Sequence, residues 1–417
     1  MLPMQRMINQ ANDRQSIPSI LSAIAQAIVE VTRTWNLLPA VRWRPELEAE
    51  FLANHGLEPP FHPTQHPFAQ PLPANLDSGA KRLDRLAVHL RQTESGHPFA
   101  RFLCQRLEQA HRLRDWLQAR GTPRFAEYAR AIFGTTKPNH PNSVDPDAIL
   151  ACFHRYQTHA EIPPDSPTIS APLALQELQQ RLSEYFADTP QTLVCLSDHL
   201  TANAAVRSEI LYLKADATFS AADVAMLEVH EGWIHQGTSR NARQGSRLRL
   251  FQRPTPESTR LQEGLAVAAE LLFQTAGPRR IRKHQARVQA IQMAESGSDF
   301  RQIFRMLGEM GMPPREAYQQ TMRIFRGCPL DGAPFTKDLC YGAGLLQTLT
   351  WLRDWADAPA PERLQAIFAG KFAWEELPLV ESGLRDGWLR TPRYLPRPFR
   401  DAKWVRESVS RYLPPAN

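Results

Sequence analysis

Two histidines five residues apart, in the stretch His230–Glu231–Gly232–Trp233–Ile234–His235, constrain this chain more than any other feature. The residue types suit a zinc peptidase, in which two imidazoles bind the ion and a glutamate beside the first acts as general base. The zincin template spaces its histidines four apart, so both rings leave one face of an α-helix. At ~100° per residue, five steps swing the second ring roughly 140° from the first. A shared ion therefore demands a break in α-helical geometry, and a one-residue π-type insertion restores convergence. Gly232, inside the motif, tolerates a distorted backbone.

Two histidines still lack a third ligand. Glu263, in Leu261–Gln262–Glu263–Gly264–Leu265–Ala266, follows His235 after enough chain for a loop and a second helix. Two histidines and one carboxylate, with the fourth position open, form the ligand set of catalytic zinc. Glu270 shares a side of that helix and is the fallback ligand, or a partner that orients one. The expected cofactor is Zn2+ on His230, His235 and Glu263. Glu231 then takes a proton from water and passes it to the leaving amine.

Three segments carry a family resemblance: His-Glu-Gly-Trp-Ile-His-Gln-Gly-Thr (230–238), Gln-Glu-Gly-Leu-Ala (262–266) and Phe-Thr-Lys-Asp-Leu-Cys-Tyr (335–341). In order and spacing they resemble the QEGLA-motif proteins, a mainly bacterial branch of the family that includes the microtubule-associated tyrosine carboxypeptidases. The resemblance runs from about Gly121 to about Trp388. It implies the same metal ligands and base, and removal of a C-terminal residue from a peptide or protein. It also marks Asn241 and Gln244 as candidate substrate contacts. The wording of the motifs is nearer the bacterial branch, so a tubulin substrate is not carried over.

Around this centre, Lys337, Asp338 and Tyr341 share a helical face. The Tyr341 phenol reads two ways: a donor to a developing oxyanion, or a buried tyrosine with a bonded hydroxyl. Asp223 likewise reads as a helix cap or as a group orienting a ligand. A carboxypeptidase must also offset the desolvation of a terminal carboxylate with cations or several donors. Six candidates are Arg240, Arg243, Arg247, Arg249 and Arg253 between the two metal helices, and Lys337 in the third segment. Arg243 and Arg249 are favoured.

The net charge of +6 reflects 49 Lys and Arg against 43 Asp and Glu. The basic clusters at 240–253 and at Arg279, Arg280, Arg282, Lys283 and Arg287 read as solvated surface, or as contacts for an acidic peptide. No nucleic-acid module accompanies them, so no nucleic-acid partner is expected. No run reaches the ~18 apolar residues of a spanning helix and no signal-peptide pattern opens the chain, which makes the cytoplasm the expected compartment. The five cysteines are scattered and read as reduced core thiols. No phosphate loop or nucleophile elbow competes with the metal motif.

The periodicity of the 417 residues predicts an α+β fold, predominantly α and zincin-like, with a metal-binding helix, a second ligand-bearing helix and a small sheet. Three parts are expected: residues 1–75, an N-terminal helix (about 17–36) and a proline-rich connector at 59–73; 76–190, a helical region; and 191–417, the catalytic region. Helices are predicted near 79–93, 98–119, 125–133 and 172–187, strands at 191–197 and 208–213. The strands serve either as a substrate-pairing edge or as a core hairpin. A Ser220/Asp223 capping box starts the metal helix. Thr255–Pro256 opens the next helix and Gly277–Pro278 ends it. Further helices follow at about 281–295, 299–310, 314–326 and 337–356. The functional reading is a zinc carboxypeptidase; the alternatives are a zinc amidase on a non-peptide substrate and a metal-containing regulatory or scaffold protein. Oligomeric state is not encoded in these features.

Overall fold

The computed structural model describes residues 17–62, 67–93, 96–160, 166–187, 193–198, 200, 203–207, 209–245 and 249–413. The fold is predominantly helical with small sheets. Among the described residues, no helix is long and apolar enough to cross a membrane, and the five cysteines are all unpaired. Residues 63–66 of the connector, Gln191 and Ser208 at the starts of the two expected strands, and Arg247 lie outside the described residues.

The N-terminal half is a helical layer. Helix α1 (Ser19–Thr32) buries Leu21, Ile24, Ile28 and Val31, a stripe at helical spacing. It packs on α2 (Leu76–Thr93) and α3 (Pro98–Gln118), which buries Phe99, Phe102, Leu103 and Leu107. The proline-rich connector is stapled to the body: Phe61 meets the Trp43 ring edge-on at 4.9 Å, and Ala69 N–H donates to Arg42 O at 2.8 Å. Helix α4 (Pro123–Phe133) stops at Gly134, whose φ of 93° suits glycine. Helix α5 (Pro146–His159) was not predicted. Asp145 caps it, Pro146 occupies its first turn, and Ile149, Cys152, Phe153 and Tyr156 make its buried stripe.

Helix α6 (Ala171–Tyr185) lies against a three-stranded sheet of β1 (Val194–Ser197), β2 (Ala204–Arg207) and β3 (Ile210–Lys214). The central β3 runs parallel to β1 and antiparallel to β2. The two predicted strands are therefore parallel neighbours, and the hairpin partner of β3 is β2, whose short Ala-Ala-Val-Arg run gave no strand signal.

The C-terminal half begins with α7 (Ala221–Leu227), opened by the expected capping box: Ser220 Oγ accepts from Asp223 N–H at 2.9 Å, and Asp223 accepts from Ser220 N–H at 2.8 Å. The chain continues into a π-helical segment, Glu228–Gln236, then α8 (Gly237–Gly245), α9 (Thr259–Leu272) and α10 (Pro278–Glu295). Helix α9 ends before Gly277. Gln274 takes the left-handed conformation (φ 56°), while Gln274 N–H and Thr275 N–H close on Leu271 O and Glu270 O in a Schellman arrangement. Gly277–Pro278 instead opens α10, because proline at a first helical position sacrifices no needed N–H. Helices α11 (Phe300–Glu309), α12 (Pro314–Phe325) and α13 (Leu339–Asp357) follow. Shorter helices at Leu377–Arg385 and Ala402–Ser410 close the chain.

Two apolar clusters form the interior. One draws on residues from Leu21 to Leu413, and the other joins α6, the sheet and α7. The π-helical segment lies at their seam: Val229 and Ile234 enter the larger cluster, Val224 and Leu227 just upstream enter the smaller, and Trp233 packs against both.

Candidate metal centre

The π-helical segment solves the spacing problem. Gly237 N–H reaches back five residues to Gly232 O, so positions 230 and 235 come round to one side of a widened turn. The two imidazoles meet at 86° with centroids 4.7 Å apart. Gly232 contributes through packing: a Cβ there would stand 2.3 Å from Leu182 Cδ2, so its absence lets α6 approach. Its φ is not positive, so backbone freedom is not what the position requires.

Helix α9 brings the third group. His230 Nε2 lies 3.2 Å from His235 Nε2 and 3.6 Å from Glu263 Oε2; His235 Nε2 lies 3.7 Å from the same oxygen. Among the described residues this is the one group of three metal-capable side chains in such proximity. Ligands sharing a tetrahedral ion at ~2.0–2.1 Å stand about 3.3–3.4 Å apart. The observed triangle lies within a few tenths of an ångström of that size, so the residues fit a zinc ion. Helix α9 comes close enough because Gly264 and Gly344 touch: a Cβ on Gly264 would lie 2.3 Å from the Gly344 carbonyl carbon.

Behind the triangle, Glu270 is a ring-orienting partner rather than a ligand. Its Oε1 lies 2.5 Å from His230 Nδ1, and Arg280 grips both carboxylate oxygens, Nη2 to Oε1 at 2.5 Å and Nε to Oε2 at 2.6 Å. Burial would raise the Glu270 pKa, but Arg280 and His230 bring it down to about 2. An ionised carboxylate can only accept, so His230 Nδ1 carries a proton and the ring presents Nε2 to Glu263 and His235. Burial lowers the His230 pKa, yet Glu263 and Glu270 overcome it and raise it to about 9. Glu263 is likewise held well below its usual range by the two histidines, against burial. Asp223 caps its helix and also accepts from Arg279 Nη2 at 3.0 Å, so α10 is tied to both the start and the centre of the segment that carries the two histidines. The cluster at 279–287 is thus not simply solvated surface: Arg280 and Arg287 face inward at helical spacing.

Glu231 sits 4.0 Å from His230 Nε2, largely buried, and no hydrogen bond occupies its carboxylate among the described residues. Tyr341 is half-buried under Lys337, whose Nζ lies 5.1 Å from the ring centroid. Burial pushes its phenol pKa up, Glu263 adds to the rise, and Lys337 and Arg323 oppose it; the group is a proton donor. Asp338 is claimed by Arg323, at 2.6 and 2.7 Å, and more distantly by Arg287.

Several sequence candidates are committed elsewhere. Asn241 spends its whole amide on the fold: Nδ2 donates to Phe368 O (3.0 Å) and Tyr394 O (2.6 Å), and Oδ1 accepts from Arg393 and Tyr394 N–H. All four of its hydrogen-bonding positions are used, so it pins the C-terminal segment and has no amide position left for a substrate. Gln244 is exposed on α8. Arg243 is 70 % exposed and pairs with Glu209 at 3.1 Å, and Arg249 is exposed and acts on Glu30; neither favoured cation turns to the triangle. Arg240 is buried over the Phe186 ring beside Glu209, and Arg253 donates to Thr32 O. Of the five described cations among the six, Lys337 is the one that acts on Glu263. One residue had escaped notice. Lys371 acts on Glu231 and Glu263 from a coil that Gln262 holds in place through Gly370 O, at 3.1 Å. Lys371 belongs to no motif; the glutamine preceding Glu263 was the available signal that a loop docks there.

No curated protein matches the chain. A family profile does, over residues 49–413, well beyond the stretch in which the three segments lie. That match spans nearly the whole described fold, including α2, α3 and the C-terminal helices, and the chain belongs to the microtubule-associated tyrosine carboxypeptidase family.

Proposed function

We propose that the protein is a zinc-dependent metallocarboxypeptidase that removes a C-terminal residue from a peptide or protein. The observation that carries this reading is the triangle of His230, His235 and Glu263, of the size one zinc ion requires, with the unengaged carboxylate of Glu231 beside it. A purely structural metal site has no use for such a base. Zinc would supply polarisation of the scissile carbonyl and a lowered pKa, near about 7, for the attacking water.

The protein's own groups account for the rest. Glu231 is placed to accept the water's proton and return it to the departing amine. The neutral Tyr341 phenol, beside Lys337, is a donor for the developing oxyanion. Edge strand β2, packed beside the π-helical segment, offers main-chain groups to an extended peptide. A zincin-like arrangement, with the glutamate ligand on a second helix, describes this set.

The test pairs metal analysis with a peptide library. The protein should hold about one zinc per chain. His230→Ala, His235→Ala and Glu263→Ala should each lose it, and Glu231→Gln should keep it while losing turnover. Full zinc in the Glu263 variant, or hydrolysis that survives Glu231→Gln, overturns the assignment.

A further inference from the structure

We propose that Lys337 and Lys371 form a two-lysine clamp for the terminal carboxylate of the substrate, beside Glu263. The proposal rests on the peptidase reading and adds what the site recognises. Lys337 is 7 % exposed, a depth at which an ammonium ordinarily requires a carboxylate. Its neighbour Asp338 is taken by Arg323 and Arg287, and no ion pair or hydrogen bond engages its Nζ among the described residues. The Tyr341 ring lies under it at 5.1 Å, and Glu263 acts on it from the triangle.

Lys371 shows the same pattern in a different setting. Its backbone is fixed twice: N–H donates to Phe251 O at 2.8 Å, and its carbonyl accepts from Arg106 Nη2 at 2.9 Å. Gly370 makes the turn possible, since at φ 159° it packs where a Cβ would stand 2.8 Å from Phe251 O. Gln262, the neighbour of Glu263, donates to Gly370 O at 3.1 Å and so holds this loop beside the site, where Lys371 acts on Glu231 and Glu263 while no ion pair or hydrogen bond occupies its ammonium among the described residues.

Charge balance points the same way. Arg280 neutralises Glu270, and the two lysines already match Glu231 and Glu263, so a divalent ion on the triangle leaves a positive surplus in a half-buried site. Low dielectric makes that surplus costly until an anion enters. A peptide's C-terminal carboxylate is such an anion and can accept from two ammonium groups; a C-terminal amide is neutral.

Binding is read first on the Glu231→Gln protein, with peptides ending in each of the twenty residues, as free acid and as amide. Mass spectrometry measures the bound fraction, and thermal melts confirm folding. The free acid should bind roughly tenfold or more tightly than the amide. The preference should vanish in Lys371→Met and in Lys337→Met, and return in part with arginine at either position; Lys→Gln replaces any methionine variant that fails to fold. In protein with Glu231 intact, the same changes should raise KM for the free acid more than they lower kcat. Equal binding of acid and amide, a preference that persists in both charge-removing variants, or no peptide bound at all overturns the clamp. Hydrolysis of acid and amide at one rate overturns the clamp and leaves a peptidase, whereas hydrolysis of neither, with no zinc held, overturns the peptidase reading as well.

Discussion

Two buried charge clusters lie near the backbone of Lys371, and they differ in what they leave open. In the first, Arg106 and Glu376 pair at 3.1 Å with almost no exposure. Glu376 accepts from Gln109 and from Ala373 N–H, and Arg106 also donates to Gln109, Thr255 and Lys371 O. Partners within the protein saturate that carboxylate. In the second, the carboxylate of Glu231 and the ammonium groups of Lys337 and Lys371 make no hydrogen bond among the described residues, and Glu263 stands at metal-sharing distance from two rings. Burial of unsatisfied charge is expensive, so it persists where a ligand completes it. The closed cluster is a brace for the open one, because Arg106 holds the loop that presents Lys371.

The largest expected effect falls on the open cluster. Glu231→Gln should lower kcat by about 10²–10⁴-fold, the usual worth of a general base, with an unchanged thermal midpoint. Steady-state kinetics and calorimetry on the same sample separate the two readouts. A variant that loses stability instead would place Glu231 with the brace.

Arg106→Met should do the reverse. Removing one member of a buried pair strands Glu376 and costs about 3–5 kcal/mol of folding stability, measured by urea unfolding. If stability is unchanged and only KM moves, Arg106 belongs to the substrate site.

Glu270→Gln tests the junction of the two behaviours, since Glu270 is fully paired yet bonds to His230, a proposed zinc ligand. Loss of the negative acceptor should weaken zinc binding roughly 10–100-fold in chelator competition. Unaltered affinity would mean that the His230 ring is oriented by packing alone.

These contrasts mark what the sequence could reveal. The 230/235 spacing demanded a bulge, because helix geometry is local arithmetic, and the structure supplies a whole π-helical segment. Glu263 was legible for a similar reason, being fixed on a helix whose face is set by periodicity. The buried stripe of α5 was equally readable in Ile149, Cys152, Phe153 and Tyr156, and was missed although Asp145–Pro146 is a start signal. Lys371 was not readable: its position depends on Gln262, Phe251 and Arg106 meeting from distant parts of the chain. Arg243 and Arg249 misled because sequence proximity to the motif says nothing about Glu209 and Glu30, which draw them away.

The smallest expected effect concerns Gly232, and it separates two explanations of why the widened turn carries a glycine. If the turn needs backbone freedom, alanine is costly whatever surrounds it. If close packing with α6 is the reason, the cost comes from Leu182, whose Cδ2 would lie 2.3 Å from the new Cβ. A leucine tip can rotate away, and alanine gains about 0.5–1 kcal/mol over glycine in helical backbone, so the net loss in Gly232→Ala should be on the order of 1 kcal/mol. Leu182→Val withdraws the clashing methyl group and has its own packing cost. In a double-mutant cycle followed by urea unfolding, the pair should therefore be less destabilised than the sum of the single variants, by about 0.5 kcal/mol or more. Additive losses would return the glycine to a backbone role.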